Sequence, residues 1–311
     1  MKRVMILCFV AAFEFCAFSL VWAEEGLPLS PRTIVVALDG TGDYVSLQEA
    51  VDAAKKGDTV FVRAGHYLQD VTIHSKEKVK FIGAGVDQVT ILGRDVVVGA
   101  LHVGKWPYGA TDIEISDMTI NDRGGHAVGL FNGQGIVLRR VKINGMLFSQ
   151  QVHDVRIEDC AIGGSETTGV QFADSEAVLV GNMIHDNDHG VSIAGKSNVR
   201  LERNVILRNL FEAVVVSGHA HAVIVSNTLV KNGGGAAFLG QSQSDVSGNN
   251  RDAQRNGATA LHGDGGLSAE SQRTIDELEG VRAGGQRNPR CAAGADEPAR
   301  LEDLQVDRRV N

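Results

Sequence analysis

Asn182, Asn204 and Asn227 stand 22 and 23 residues apart, and Asn187, Asn209 and Asn232 repeat that spacing five residues later. A period in the low twenties, with one residue type recurring at one phase, makes each repeat a turn of a coil stacked on the next. This limits the chain to a solenoid before any other motif is considered.

The coil can be set in register from Ile113 onward. Ile113-Glu-Ile115, Ile136-Val-Leu138, Val155-Arg-Ile157, Ala177-Val-Leu179, Val199-Arg-Leu201 and Ala222-Val-Ile224 are short alternating segments, the pattern of half-buried strands. Five residues after each start comes Met118, Val141, Cys160, Asn182, Asn204 or Asn227, and two later an aliphatic residue, from Ile120 to Leu229. A second strand is visible in Gly169-Val-Gln-Phe172, Gly190-Val-Ser-Ile193 and Ala213-Val-Val-Val216. A repeat this short holds two or three strands and no helix, so the expected fold is an all-β, single-stranded parallel β-helix, right-handed because parallel crossovers are.

The asparagines fall where the chain turns, where each amide can bond its own turn and the coil next to it. Cys160 shares their phase and reads as a small buried packing residue, the usual place of a free cysteine. Upstream, Ser46-Leu-Gln-Glu49 is a capping box, and Leu47, Ala50, Val51 and Ala54 predict an amphipathic helix ending near Gly57. Such a helix would cover the open edge of the first coil, which would otherwise template association.

Residues 1–23 have signal-peptide grammar: Lys2 and Arg3, an apolar run from Val4 to Leu20, and Val21-Trp22-Ala23 before the expected cleavage. This predicts a secreted or periplasmic protein with no membrane span after signal removal. Cys8 and Cys16 leave with the signal, and Cys160 and Cys291 alone do not imply a disulfide framework. The β-helix domain is expected over residues 24–250. Residues 251–311, rich in Gly, Ala, Arg, Asp and Glu, are expected to be disordered or to form a partial helical cap near 268–281. The formal charge of −8, one unit more negative without the signal, argues against a nucleic-acid surface.

Val36-Ala-Leu-Asp-Gly-Thr-Gly-Asp-Tyr-Val-Ser-Leu-Gln-Glu-Ala-Val-Asp-Ala-Ala54 resembles the opening of pectin methylesterases, and Val62-Arg-Ala-Gly-His-Tyr67 resembles their next segment. A looser resemblance, to the pectin lyase-like β-helix superfamily, covers about residues 34–250. The resemblance to methylesterases implies two catalytic aspartates, an arginine and oxyanion-stabilising glutamines on the outer face. The sequence departs from that set. His126-Ala-Val-Gly-Leu130 places His126 where the family has a glutamine, Phe148 falls near the acid/base aspartate, and Thr167 or Thr168 takes the place of the nucleophilic aspartate. Without either carboxylate that mechanism has no nucleophile and no proton shuttle.

His185-Asp-Asn-Asp-His-Gly190 is the densest polar cluster. As chemistry it offers His189 as base or acid and Asp188 as its partner, the pair a uronate lyase or C5-epimerase requires; as structure it is a turn whose polar groups satisfy the backbone. Asp188-His189 resembles part of the Asp-Pro-His-Asp segment of mannuronan C5-epimerases. Counting back from the second-strand anchors aligns His126, Thr168, His189 and Glu212 as a polar strip. Arg139, Arg156 and Arg200, interleaved with Glu114, Glu158 and Glu202, are either a uronate-binding strip or a solvated charged face. Trp106, beside Tyr108, is the candidate for sugar stacking or for a corner plug. His219-Ala-His221 lies in a different turn from His185, Asp186 and His189, so spacing argues against a metal site, and no cofactor is expected. These residues predict a protein that binds or modifies a carbohydrate polymer such as a uronate polysaccharide. The alternative is a non-catalytic β-helix, a binding module or a periplasmic accessory protein like those of nitrous oxide reductase maturation.

Overall fold

A computed structural model describes residues 30–94, 99–252, 259–261 and 266–267. The alternating segments form a β-solenoid of about nine turns whose strands pair in parallel with their equivalents one coil away. Each regular coil carries three strands, as in Glu176–Val180, Met183–His185 and His189–Ala194, followed by Asn198–Glu202, Val205–Leu207 and Glu212–Val216. Stacking these makes three parallel sheets, named first, second and third in the order the chain visits them. In two coils the chain stays extended across all three, as Thr111–Phe131 and Gln134–Gln150.

Alternation sets which side chains enter the coil. Val155, Ala177, Val199 and Ala222 are paired in register and buried, as are Ile157, Leu179, Leu201 and Ile224 two residues on. Burying each Leu or Ile contributes about 1.5–3 kcal/mol. The residues between them, such as Arg156 and Arg200, face out.

The corners are where extended backbone must stop, and polar side chains hold them. At the first corner Asn204 accepts from the backbone N–H of Asn182 at 2.9 Å and donates to Leu179 O at 2.9 Å and to Asn227 Oδ1 at 3.0 Å. Asn249, absent from the repeat read in the sequence, extends this ladder by one rung. The second ladder runs from Asn187 through Asn209 to Asn232. A third, not foreseen, lies at the last corner and uses serine, with Ser149 bonded to Ser175 and Ser175 N–H to Ser197. Cys160 is 2% exposed and occupies the ladder position ahead of Asn182, its N–H donating to Asn182 Oδ1 at 2.9 Å. Burial pushes its thiol up to about 12.

The helix Leu47–Ala53 buries Leu47, Ala50 and Val51, with Ser46 accepting from Glu49 N–H. It ends earlier than the sequence suggests, at Ala54, whose extended backbone stops it. Gln48 completes the cap: its amide accepts from Thr72 N–H at 2.7 Å and donates to Thr72 O at 3.0 Å, standing in for the missing strand beside Val71–Ile73.

Strands flank the register readable from Ile113 on both sides. Thr33–Val36, Gly65–Leu68 and Leu101–Val103 are additional strands, and Asn250–Asp252, Thr259–Leu261 and Gly266–Leu267 continue the stack past residue 250. The expected signal segment, Cys291 and the expected helix near 268–281 lie outside the described residues. No helix among the described residues is long and apolar enough to cross a membrane.

Candidate functional site

Two sets of residues on the outside of the coil combine recognition chemistry with a concave surface. The first surrounds Trp106. The loop after Leu101–Val103 projects at the third corner, tied by Lys105 N–H to Tyr108 O at 2.7 Å and by Asn132 Nδ2 to Pro107 O at 2.9 Å. Trp106 is 72% exposed there, so it is not a corner plug. It forms a wall of two adjoining grooves of about 480 Å³ each. One contains Gln134, Gln151, His153 and Asp174; the other contains His102, Lys105, Phe131 and Gln150. An exposed indole beside side-chain amides offers an apolar face and paired donors and acceptors.

The second set lies on the third sheet. Thr168 and His189 are register partners on adjacent coils, and Glu212 follows on the next. His189 Nδ1 is 3.2 Å from Glu212 Oε2, close enough for an ion pair when the ring is protonated, although the angle does not make a hydrogen bond. Phe211 stacks on the imidazole at 5.1 Å and 29°. Thr168, His189 and Glu212, with Ser192, Val215, Ala237 and Leu239, line a groove of about 390 Å³.

This geometry corrects the expected partner of His189. Asp188 lines a different groove, at the second corner with Ser165, Glu166, Asp186 and Arg208, so the carboxylate facing His189 is Glu212. Sequence adjacency misled because Asp188 belongs to the turn and His189 begins the strand. Asp186, in the same groove as Asp188, is held by Nε and Nη2 of Arg208, at 2.8 and 2.6 Å, and is shifted below the usual carboxylate value by that pairing and then by His185.

The strip expected from His126 to Glu212 is three coils long, not four. His126 pairs with Met146, which separates it from Thr168, and its ring stacks on Phe148 at 5.0 Å. Phe148 meets Phe131, which meets His102 edge-on at 5.5 Å. Burial holds both imidazoles below the ordinary histidine value, and the nearby His126 adds to the effect on His102. An aromatic and imidazole cluster thus occupies the region where the resemblance placed a glutamine and an aspartate.

The arginines are not brought to His189. Arg139, Arg156 and Arg200 all lie on the first sheet, His189 on the third. Each is paired: Arg139 and Arg156 share Glu158, at 2.7 Å in both cases, and Arg200 bonds Glu202 at 2.9 Å. Glu158 is held below its usual value by Arg156 and then Arg139. His221 faces Asn198 and Asp245, and among the described residues no three His, Cys, Asp or Glu side chains are grouped to hold a metal ion.

The fold defines the class, a right-handed parallel β-helix. Residues 108–273, more than half of the chain, match the family model described as "Right handed beta helix region", and the chain belongs to that family. It is 28% identical over 196 residues to the probable pectinesterase/pectinesterase inhibitor 23 of Arabidopsis thaliana, covering 56% of this chain and 34% of that protein. It is 29% identical over 177 residues to pectinesterase 2 of Citrus sinensis, covering 51% and 34%. The match thus spans about a third of these relatives' length. Among solved structures it is similar to an alginate lyase from Paenibacillus sp. str. FPU-7, with a TM-score of 0.53, 15% identity, and coverage of 76% of this chain and 99% of the other. That likeness is one of fold.

Proposed function

We propose that this protein binds an extended carbohydrate polymer on the outside of its coil, with Trp106 as the stacking anchor. The observation that carries the reading is an exposed indole standing between two grooves lined with glutamine and histidine side chains. A sugar ring has apolar faces that stack on an aromatic plane and hydroxyls that bridge amide groups. A solenoid offers such contacts at repeated intervals, which suits a polymer. The similarity to plant pectinesterases supports a pectin-like polysaccharide as the ligand class. The basic and apolar N-terminus supports export, to where such polymers lie.

The uronate lyase or epimerase reading asks for a cation beside the base, and the nearest test of it is unfavourable. Arg139, Arg156 and Arg200 are on another sheet and already neutralised by glutamates. Affinity electrophoresis in gels containing pectin, polygalacturonate, alginate or a neutral glucan tests the binding reading. Retardation in at least one gel is expected, and Trp106→Ala is expected to abolish it. Unretarded migration of the wild-type protein in every gel would count against the reading.

A further inference from the structure

We propose that Thr168, His189 and Glu212 form a hydroxyl, imidazole and carboxylate relay that hydrolyses an uncharged ester, such as an acetyl group, carried by a carbohydrate. The natural substrate rests on the carbohydrate reading above; the chemistry does not.

The three residues occupy one phase of three successive coils, which places them about 4.8 Å apart along the stacking direction. That order is the functional order of a nucleophile, its base and the group that orients the base. With Glu212 3.2 Å from Nδ1, the nitrogen left to exchange a proton is Nε2. Phe211, stacked on the ring, fixes its plane. Thr168 is nearly buried but lines the same groove. The groove, at about 390 Å³, lies within the range of small-molecule clefts.

The lining also selects the substrate. Among the described residues it contains one carboxylate, one imidazole, two hydroxyls, three apolar side chains and no lysine or arginine. A free uronate carboxylate entering there would face Glu212 with no lysine or arginine to offset it, and would compete with Glu212 for His189. An ester carries no charge, and its alkyl or acyl group can lie against Val215, Ala237 and Leu239.

In the first half-reaction, His189 Nε2 takes the proton of Thr168 Oγ1 as that oxygen adds to the ester carbonyl carbon. The tetrahedral adduct collapses, the bond to the alcohol oxygen breaks, and the imidazolium gives its proton to the departing alcohol, leaving the acyl group on Thr168. In the second, His189 takes a proton from water, whose oxygen adds to the acyl carbon. The bond to Oγ1 breaks, Oγ1 regains the proton, and the acid leaves. The net reaction is ester plus water to acid plus alcohol. Glu212, 3.2 Å from Nδ1, is a positioning residue that holds the ring when the imidazolium forms and pairs with it.

The full chain is tested with 4-nitrophenyl acetate and with acetylated pectin, following nitrophenolate and acetate. Thr168→Val and His189→Gln are each expected to lower kcat/KM by about 10²–10⁴-fold, the usual contribution of such groups. Rapid acid quenching and peptide mass analysis are expected to find an acetyl group on Thr168. Glu212→Gln should lower kcat with KM and the thermal melt unchanged, and Glu212→Asp should restore part of the rate, which a merely structural glutamate would not do. A wild-type rate no greater than that of Thr168→Val, or acetylation only elsewhere, overturns the relay. Gel retardation without ester hydrolysis removes the relay and leaves polymer binding standing. Hydrolysis of the small ester without retardation in any polysaccharide gel does the reverse.

Discussion

The coils after Gln150 and those before it solve the same stacking problem by different means. From His153 to Asn249 the repeat is near-constant, its corners filled by asparagine and serine ladders that pass hydrogen bonds from coil to coil. Before Thr111 the first coils close on the helix Leu47–Ala53, the ion pair of exposed Arg32 with buried Asp58, and large core side chains such as Tyr67 and Phe81. The difference teaches where surface features can arise. The ladders demand an unchanging backbone at each corner, whereas the irregular coils can absorb the projecting loop that carries Trp106.

The largest expected effect comes from breaking a ladder. Asn204→Leu removes the acceptor used by Asn182 and the donor used by Leu179 O and Asn227. Two or three buried groups left unpaired cost about 1–3 kcal/mol each. A urea titration should therefore show a loss of about 3–6 kcal/mol, and a change below 1 kcal/mol would show that the corner tolerates an apolar side chain. On the other side of the comparison, Gln48→Leu uncaps Thr72 without touching the interior. We expect a smaller loss, about 1–2 kcal/mol because water can reach the freed groups, together with concentration-dependent association through the exposed edge. Sedimentation of the variant against wild type checks the second part.

Within the irregular coils, the third sheet and the cap should also separate along the pH axis. His102 and His126, on the third sheet, are held below the ordinary histidine value by burial, so the folded state resists protonation. Their contribution is complete above the unfolded value of about 6.5 and declines as pH falls from there towards the folded values. Burial alone would raise Asp58 in the cap, but the N–H groups of Arg32 and Lys55 and the Arg32 guanidinium outweigh it and hold the carboxylate low. Its contribution is complete above about 3.9 and is lost as pH falls through the folded value. Thermal melts across pH should show an early decline that His102→Leu reduces and a later one that it leaves in place. A single acid transition unaffected by His102→Leu would contradict this division.

Much of the fold was legible because alternation and ladders leave fixed traces. The register of Val155 with Ala177 and Val199 follows from counting, and the asparagines at 182, 204 and 227 mark the corner that they hold. The serine ladder was less legible, because serine is common in any turn and the column passes through Ala220 before Ser242. Within the candidate site, Thr168, His189 and Glu212 shared a phase that the sequence already displayed. What counting along the chain did not give was direction: Asp188 is adjacent to His189 yet lines another groove, and Arg156 and Arg200, on the coils either side of the histidine's, belong to another sheet. Phe211 and the ring cluster from His102 to His126 were missed because aromatic contacts between coils leave no periodic signal.

Cys160 sits at the boundary between the two solutions and offers the finest test of it. Its sulfur receives Val141 N–H at 3.5 Å and lies 3.7 Å from Leu138 O, the same two backbone groups, one coil back, that Asn182 serves through Cys160 N–H and Ile157 O. An asparagine here would accept from Val141 N–H and donate to Leu138 O and Asn182 Oδ1, adding a rung. Because the sulfur contacts are weak and the volumes are similar, Cys160→Asn should stabilise the coil by at most about 1 kcal/mol, one net hydrogen bond. A loss of 2 kcal/mol or more would mean that the corner at Cys160 already has the geometry of the irregular coils, and that the ladder ends at Asn182 because the backbone changes there, not because the side chain does.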